Sequence, residues 1–244
     1  MKNIIHMCTS GVSNLADFLF PFQCISCNIF LERNHFLCTT CITRIPIERG
    51  LYCPLCMKRR TTLTTCHESP LTAIGFATSY EVPLIRDLIH IYKYDNVRSC
   101  VYDLGLIIDS YLEQSQFFFD LFSHHGSPLI VPIPLHPLRE RVRGFNQATL
   151  LGKYIAQHYT IPFSNALIRI SNNPPQAQMK SKDARRKNAE HLFKITEEVR
   201  NSLQRKTILL IDDVATSQAT LISAAHELKR NGAKTVIGLV IAKG

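Results

Sequence analysis

The apolar positions of this chain fall into two patterns that meet near residue 70. Upstream, short apolar pieces are broken by polar turns and paired cysteines, with little helical period. Downstream, continuous apolar runs alternate with segments whose apolar residues recur at helical spacing. Residues 72–80 (TAIGFATSY) predict a strand, and residues 82–94 a helix with Leu84, Leu88 and Ile91 on one face. A second helical pattern covers 99–112, and 129–133 (LIVPI) is a wholly apolar strand suited to a parallel sheet covered on both faces. Ala148, Leu151, Ile155, Ala156 and Tyr159 mark one buried helical face. Residues 166–170 predict a short strand, and 171–180, with Asn-Asn-Pro-Pro, a loop. The strongest strand is 207–211 (TILLI); a helix over 219–231 follows, closed by Asn231 and Gly232, and 235–241 is the last strand.

Strands alternating with helices predict an α/β fold, a parallel sheet flanked by helices, for residues 71–244. Residues 1–70 read as a separate small cysteine-rich module. Such sheets bind ligands at the carboxyl ends of their strands, so chemistry is expected just after each apolar run.

Composition narrows the function classes. With 45% hydrophobic and 19% charged residues, the 244-residue chain can bury an ordinary core. No apolar run approaches the roughly 20 residues of a membrane-spanning helix, and the first residues lack a secretory apolar segment. A cytoplasmic chain is expected. Lys and Arg number 28 against 19 Asp and Glu, a formal charge of +9, which favours nucleic acid, a phosphorylated small molecule or an acidic membrane surface as partner. Two clusters concentrate that charge: Arg139, Arg141 and Arg143, and then Lys180, Lys182, Arg185, Arg186 and Lys187.

Seven of the nine cysteines lie between Cys24 and Cys66, which without an export signal points to metal rather than disulfides. Cys24-x-x-Cys27, ten residues, then Cys38-x-x-Cys41 has the spacing of a tetrahedral zinc site. Cys53 and Cys56 begin a second set that Cys66 and His67 would complete. The alternatives there are free thiols or one rearranged site using the middle two pairs. Cys8 and Cys100 carry no ligand pattern.

The most specific segment is ILLIDDVATSQAT. Asp212 and Asp213 end an apolar strand, and a loop of small hydroxyl residues leads into a helix. An isolated acid pair often only caps the next helix. Here the loop also offers first-turn N–H groups and a favourable dipole to phosphate, with Thr216, Ser217 and Thr220 as extra donors. The carboxylates suit the vicinal hydroxyls of a ribose, directly or through a divalent metal. A second segment, VPIPLHPLRERVRGFNQA, reads as a proline-stiffened basic loop with Gly144 at a turn and Asn146 as the cap of the next helix.

These motifs resemble those of known families. Asp212, Asp213, Val214, Thr216 and Thr220 match the phosphoribosyl pyrophosphate motif of type I phosphoribosyltransferases, with Ser217 conservative and Gln218 where that family has Gly. The run Val-Pro-Ile-Pro-Leu-His-Pro, then Arg143-Gly-Phe-Asn-Gln147, is similar to the ComF family of competence proteins. So are Gln176 through Phe193, where Arg185 or Arg186 is the equivalent arginine, and Lys93-Tyr94. The resemblance runs from Leu19-Phe20-Pro21 to the last strand.

It implies a type I phosphoribosyltransferase-like domain behind a zinc module. Asp212 and Asp213 would be the catalytic acids. Val214, Ala215, Thr216, Ser217, Gln218, Ala219, Thr220, Arg139 and Arg143 would complete a site for phosphoribosyl pyrophosphate with magnesium. It also implies a role in natural transformation: single-stranded DNA held by Arg141 and the 180–187 cluster, other DNA-uptake proteins as partners, and a location at the cytoplasmic side of the inner membrane. An active phosphoribosyltransferase with an unidentified acceptor is the alternative, and a regulatory module that senses nucleotide state is a third. In the transferase reading Gln218 either intrudes on the phosphate, reshapes the turn or contacts the ligand with its amide.

Overall fold

The computed structural model describes residues 22–31, 35–60, 63, 66–94, 97–115, 121, 127–171 and 192–244. At its centre lies β7 (Thr207–Ala215), with β4 (Leu129–Pro132) and β8 (Thr235–Lys243) parallel on its two sides. Strand β3 (Ala73–Ser79) pairs parallel with the far edge of β8. Both edges and both faces of β7 are therefore covered, which is why its sequence is continuously apolar instead of alternating. Its side chains still divide by parity. Leu209 and Ile211 join one core, and Ile208 and Leu210 the other.

The first core is roofed by three helices: α2 (Pro83–Tyr94), α3 (Cys100–Gln114) and α5 (Gln147–His158). Helices α3 and α5 cross closely at Gly105, where a Cβ would run into the Tyr154 ring. Tyr154 and Tyr159 there donate their hydroxyls to the two oxygens of buried Asp109, at 2.6 and 2.9 Å. The second core is closed by α6 (Ala219–Arg230) and a two-stranded sheet of β5 (Leu167–Arg169) and β6 (Phe193–Ile195). Each fully buried Leu or Ile in these layers contributes roughly 1.5–3 kcal/mol.

The N-terminal residues continue this sheet. Strand β1 (Leu51–Tyr52) pairs antiparallel with β2 (Arg59–Arg60) and with Ile74 of β3, giving the order β2-β1-β3-β8-β7-β4. The sheet is mixed, parallel in its core and antiparallel at this edge. Helix α1 (Thr39–Thr43) and the cysteine turns pack on α3 through Leu37, Ile42 and Ile45. A buried carboxylate anchors them: Asp103 accepts the Phe36 N–H at 2.7 Å and lies 3.0 Å from His35 Nδ1. Among the described residues no helix is long and apolar enough to cross a membrane.

Two expectations change. The basic segment is not a loop but a helix, α4 (Pro137–Arg143). Proline fits the first turn, His136 caps it through Leu138 N–H, and Gly144 ends it at φ 72°. Strand β7 does not end at Ile211 but carries Asp212 and Asp213 within it. Its partner β8 extends to Lys243, so the ladder continues through Asp212 opposite Val240 and Ala215 opposite Lys243.

Candidate functional site

Strand β7 leaves the core at Asp212. Asp213 stays buried, and its carboxylate meets Lys93 Nζ at 2.9 Å. Asp212 accepts the Asp213 N–H at 2.9 Å. Burial, and next the neighbouring Asp213 charge, push the Asp212 carboxyl up to about 7, against weaker pulls from the Asp213 N–H, Lys93 and Arg169.

The turn that follows is open. Thr216 and Ser217 are exposed, and Gln218 sits at φ 54°, ψ −2°, the left-handed region a side chain rarely occupies. Its amide donates to the Thr216 carbonyl at 3.1 Å, and its carbonyl accepts from Ile222 N–H. Gln218 therefore keeps the turn that glycine would make, at a strain of order 1 kcal/mol. Its side chain makes no cap, which leaves the first amides of α6 without an intrahelical acceptor.

The basic helix reaches the same place through α2. Lys93 pairs with Asp213, and the next residue, exposed Tyr94, lies beneath the Arg143 guanidinium at 5.5 Å. Arg143 also donates to Gln147 Oε1 at 3.4 Å, and Gln147 and Tyr92 exchange hydrogen bonds of 2.9 and 3.4 Å. Asn146 caps α5 as expected and donates to the Ile133 carbonyl, fixing the end of β4 beneath α4. Arg139 and Arg141 are exposed on α4. The acidic strand and the arginine helix thus grip two adjacent residues.

The cysteines form two clusters, Cys24, Cys27, Cys38 and Cys41, and Cys53, Cys56, Cys66 and His67, each with its ligand atoms within 4.8 Å of one another. Zinc–sulfur bonds of about 2.3 Å place tetrahedral sulfurs about 3.8 Å apart. Cys27 to Cys38 is 3.6 Å and Cys56 to Cys66 is 3.8 Å, so both sets have the size for zinc. The two lead turns share one shape. In each, the fifth residue (Asn28, Met57) has positive φ and donates its N–H to the first cysteine's carbonyl, while that cysteine's N–H donates onward to Ile29 or Lys58. Burial opposes ionisation of Cys24 and Cys53, but hydrogen bonds outweigh it and bring both down to about 6: for Cys24 the N–H of Cys38 and then those of its own turn, for Cys53 the N–H of Cys56 and then the Cys66 side chain, the N–H of Leu55 and the His67 side chain. This grouping excludes a single site built from the middle two pairs.

Over 208 residues, 83% of this chain and 81% of the relative, the protein is 28% identical to the competence protein ComFC of Bacillus subtilis. Over most of its length the chain resembles the ComF family of competence proteins. Competence protein F of Haemophilus influenzae is 31% identical over 44% of this chain, and DNA utilization protein YhgH of Escherichia coli O157:H7 is 30% identical over 44%. Those two matches span 46% and 45% of the relatives' own lengths. No family model matches the chain. Among solved structures, an allosteric regulatory enzyme of purine biosynthesis overlays with TM-score 0.36 and 16% identity, covering 59% of this chain and 26% of that one; the site's assignment does not rest on it.

Of the residues expected at the site, Asp212, Asp213, Lys93, Tyr94 and Arg143 are linked by the contacts above, the 214–220 segment follows directly on the same strand, and Arg139 and Arg141 lie exposed on α4. Lys180, Lys182, Arg185, Arg186 and Lys187, and Gln176 with them, lie outside the described residues, as does Cys8. Sequence patterns missed Arg169 and Asp103. Arg169 is the one charged residue of β5 and Asp103 one of three acids on α3, and only tertiary burial marks them.

Proposed function

We propose that this chain is a competence protein that acts in DNA uptake, handling single-stranded DNA on the cytoplasmic side of the inner membrane, and that its β7–α6 turn binds phosphoribosyl pyrophosphate with magnesium. One observation carries the pocket: Asp213 and Arg143 engage Lys93 and Tyr94, so the carboxylates and the guanidinium share one site. In it the 216–220 turn takes the 5′-phosphate on its free amides and hydroxyls, and Asp212 and Asp213 hold the ribose hydroxyls. Magnesium would neutralise the pyrophosphate charge when bound; Asp212, facing outward from the strand, is the residue of this chain suited to it. Two zinc ions on the cysteine sets would staple a module that has little core of its own.

The relatives' names and the exposed charge support the DNA role. Arg139 and Arg141 project from α4 into solvent and grip phosphates without reading sequence. If about three phosphates are neutralised, affinity for a single-stranded oligonucleotide falls roughly tenfold or more between about 50 and 200 mM salt. A filter-binding titration checks this. Arg139→Glu with Arg141→Glu should flatten the slope, and absence of binding at low salt would remove the DNA role.

The second reading is transfer of ribose 5-phosphate to a nitrogen nucleophile. It is favoured by Asp212, whose carboxyl titrates near neutrality and so suits proton transfer. Pyrophosphate would leave C1 with its bonding electrons, the nucleophile would bond C1, and its proton would pass to Asp212.

A further inference from the structure

Tyr94 closes α2, and 64% of it is open to solvent. It supports no core, a task that falls to the fully buried Tyr92 two residues earlier. The ring is nonetheless held in place from two helices. His90, one turn back on α2 and itself exposed, lies 4.8 Å away between ring centres. On the α4 side, the Arg143 guanidinium lies 5.5 Å from the Tyr94 ring and donates to Gln147 Oε1. An aromatic face kept in water yet fixed in position loses little freedom when a second flat group settles on it.

Positive charge gathers at the same corner. Arg98 donates to the carbonyl of Gly144, the residue after Arg143, at 3.0 Å. Arg139 stands one helical turn before Arg143 on α4, and both Arg98 and Arg139 are exposed. The acids nearby are offset: Asp213 by its pairing with Lys93, Asp87 by Arg86 on the same helix, and Glu140 by the three arginines of α4. Guanidinium forks take phosphate oxygens, and an aromatic face takes a base. A ligand that offers both is a nucleotide. Three guanidinium groups spread over two segments exceed the need of one phosphate and suit a chain of them. In a duplex the bases are stacked on one another, so only a single strand has one free for Tyr94.

We infer that Tyr94, with His90 beside it, is a stacking platform for a base of single-stranded DNA whose phosphates lie on Arg98, Arg143 and Arg139. This rests on the DNA-handling reading and gives it a place, the end of α2 beside the Asp213–Lys93 pair. The rival role is a brace, in which Tyr94 only steadies Arg143 for the ribose-phosphate site.

Fluorescence anisotropy of the full chain with oligothymidylate, and with an abasic strand of the same length, decides between them. Wild type should bind oligothymidylate at least about fivefold more tightly than the abasic strand, the effect of one stacked base. Tyr94→Ala should bind both strands alike, at the abasic level and with the wild-type salt dependence, while Tyr94→Phe keeps the preference. Arg98→Gln should instead weaken both strands equally and flatten the salt slope by about 0.7. Equal affinity of wild type for the two strands, or a preference that survives in Tyr94→Ala, would overturn the platform and leave DNA binding through phosphates standing. Survival of that preference together with weakened binding of phosphoribosyl pyrophosphate would establish the brace. Failure of wild type to bind either strand at low salt would remove the DNA reading as well. Should Tyr94→Ala melt early, Tyr94→Leu, apolar but without an aromatic face, is judged by the same criterion.

Discussion

Asp212→Asn is expected to stabilise the protein at alkaline pH while weakening its hold on phosphoribosyl pyrophosphate at least tenfold. Burial and the adjacent Asp213 raise the Asp212 carboxyl from the ordinary 3.8 to about 7. The folded state therefore keeps a proton that the unfolded chain has released, and stability falls as pH rises between those values. Above pH 7 the full penalty applies. Because the side chain is half-buried and not sealed from water, about 2 kcal/mol is a reasonable size for it. Asparagine has the same shape and no charge, so Tm should rise by about 4–8 °C near pH 8. The gain should shrink to less than half near pH 5 and vanish below the unfolded-state value. Thermal melts of both proteins across that range check the sign. A Tm difference that is constant with pH would show that Asp212 is not held in its neutral form. Stability gained together with affinity lost is the mark of a residue kept for function at the expense of the fold.

Removal of zinc should have the larger structural effect. Structural zinc sites are worth about 10–16 kcal/mol of binding free energy, which here becomes folding free energy of the module. A strong chelator should unfold the segment around the cysteines and expose it to protease. The second core, built from the sheet, α6 and the β5–β6 pair, should remain folded, while the first loses the cover of Leu37, Ile42, Ile45 and Leu51. Elemental analysis should find two zinc ions per chain. Cys27→Ser and Cys66→Ser should each lower that count by one, because each removes a ligand from a different cluster. One ion in wild type would dismiss the Cys53, Cys56, Cys66 and His67 site. Asp103 predicts the route of any wider damage: with its oxygens on His35 and the Phe36 N–H, α3 loses a buried partner when the module unfolds.

Much of this was legible in the sequence where one force dominates. The run Ile208–Ile211 reads as a doubly covered strand because burial on both faces demands apolar residues throughout. The first cysteine quartet reads directly because metal geometry fixes ligand spacing. The second was ambiguous because Cys66 and His67 are adjacent in sequence, and it is the spatial grouping of Cys53, Cys56, Cys66 and His67 that separates it from the alternatives. Helix α4 was hidden by its prolines, since Pro137 at a first turn looks like loop until His136 and Gly144 are seen as its caps. Strands β1 and β2, of two residues each, are too short to carry a period. Gln218 shows the opposite case. A departure from the expected glycine left three alternatives open, and the structure shows a further arrangement, in which Gln218 takes the left-handed backbone itself and its amide bonds back to the Thr216 carbonyl.

Soaking crystals of the wild-type protein with magnesium and phosphoribosyl pyrophosphate would examine the shared site directly. The 5′-phosphate should lie in the 216–220 turn, the ribose hydroxyls against Asp212 and Asp213, and the pyrophosphate toward the arginines. Ligand density on another face of the molecule, or none at saturating concentration, would contradict the site assigned to β7 and α4.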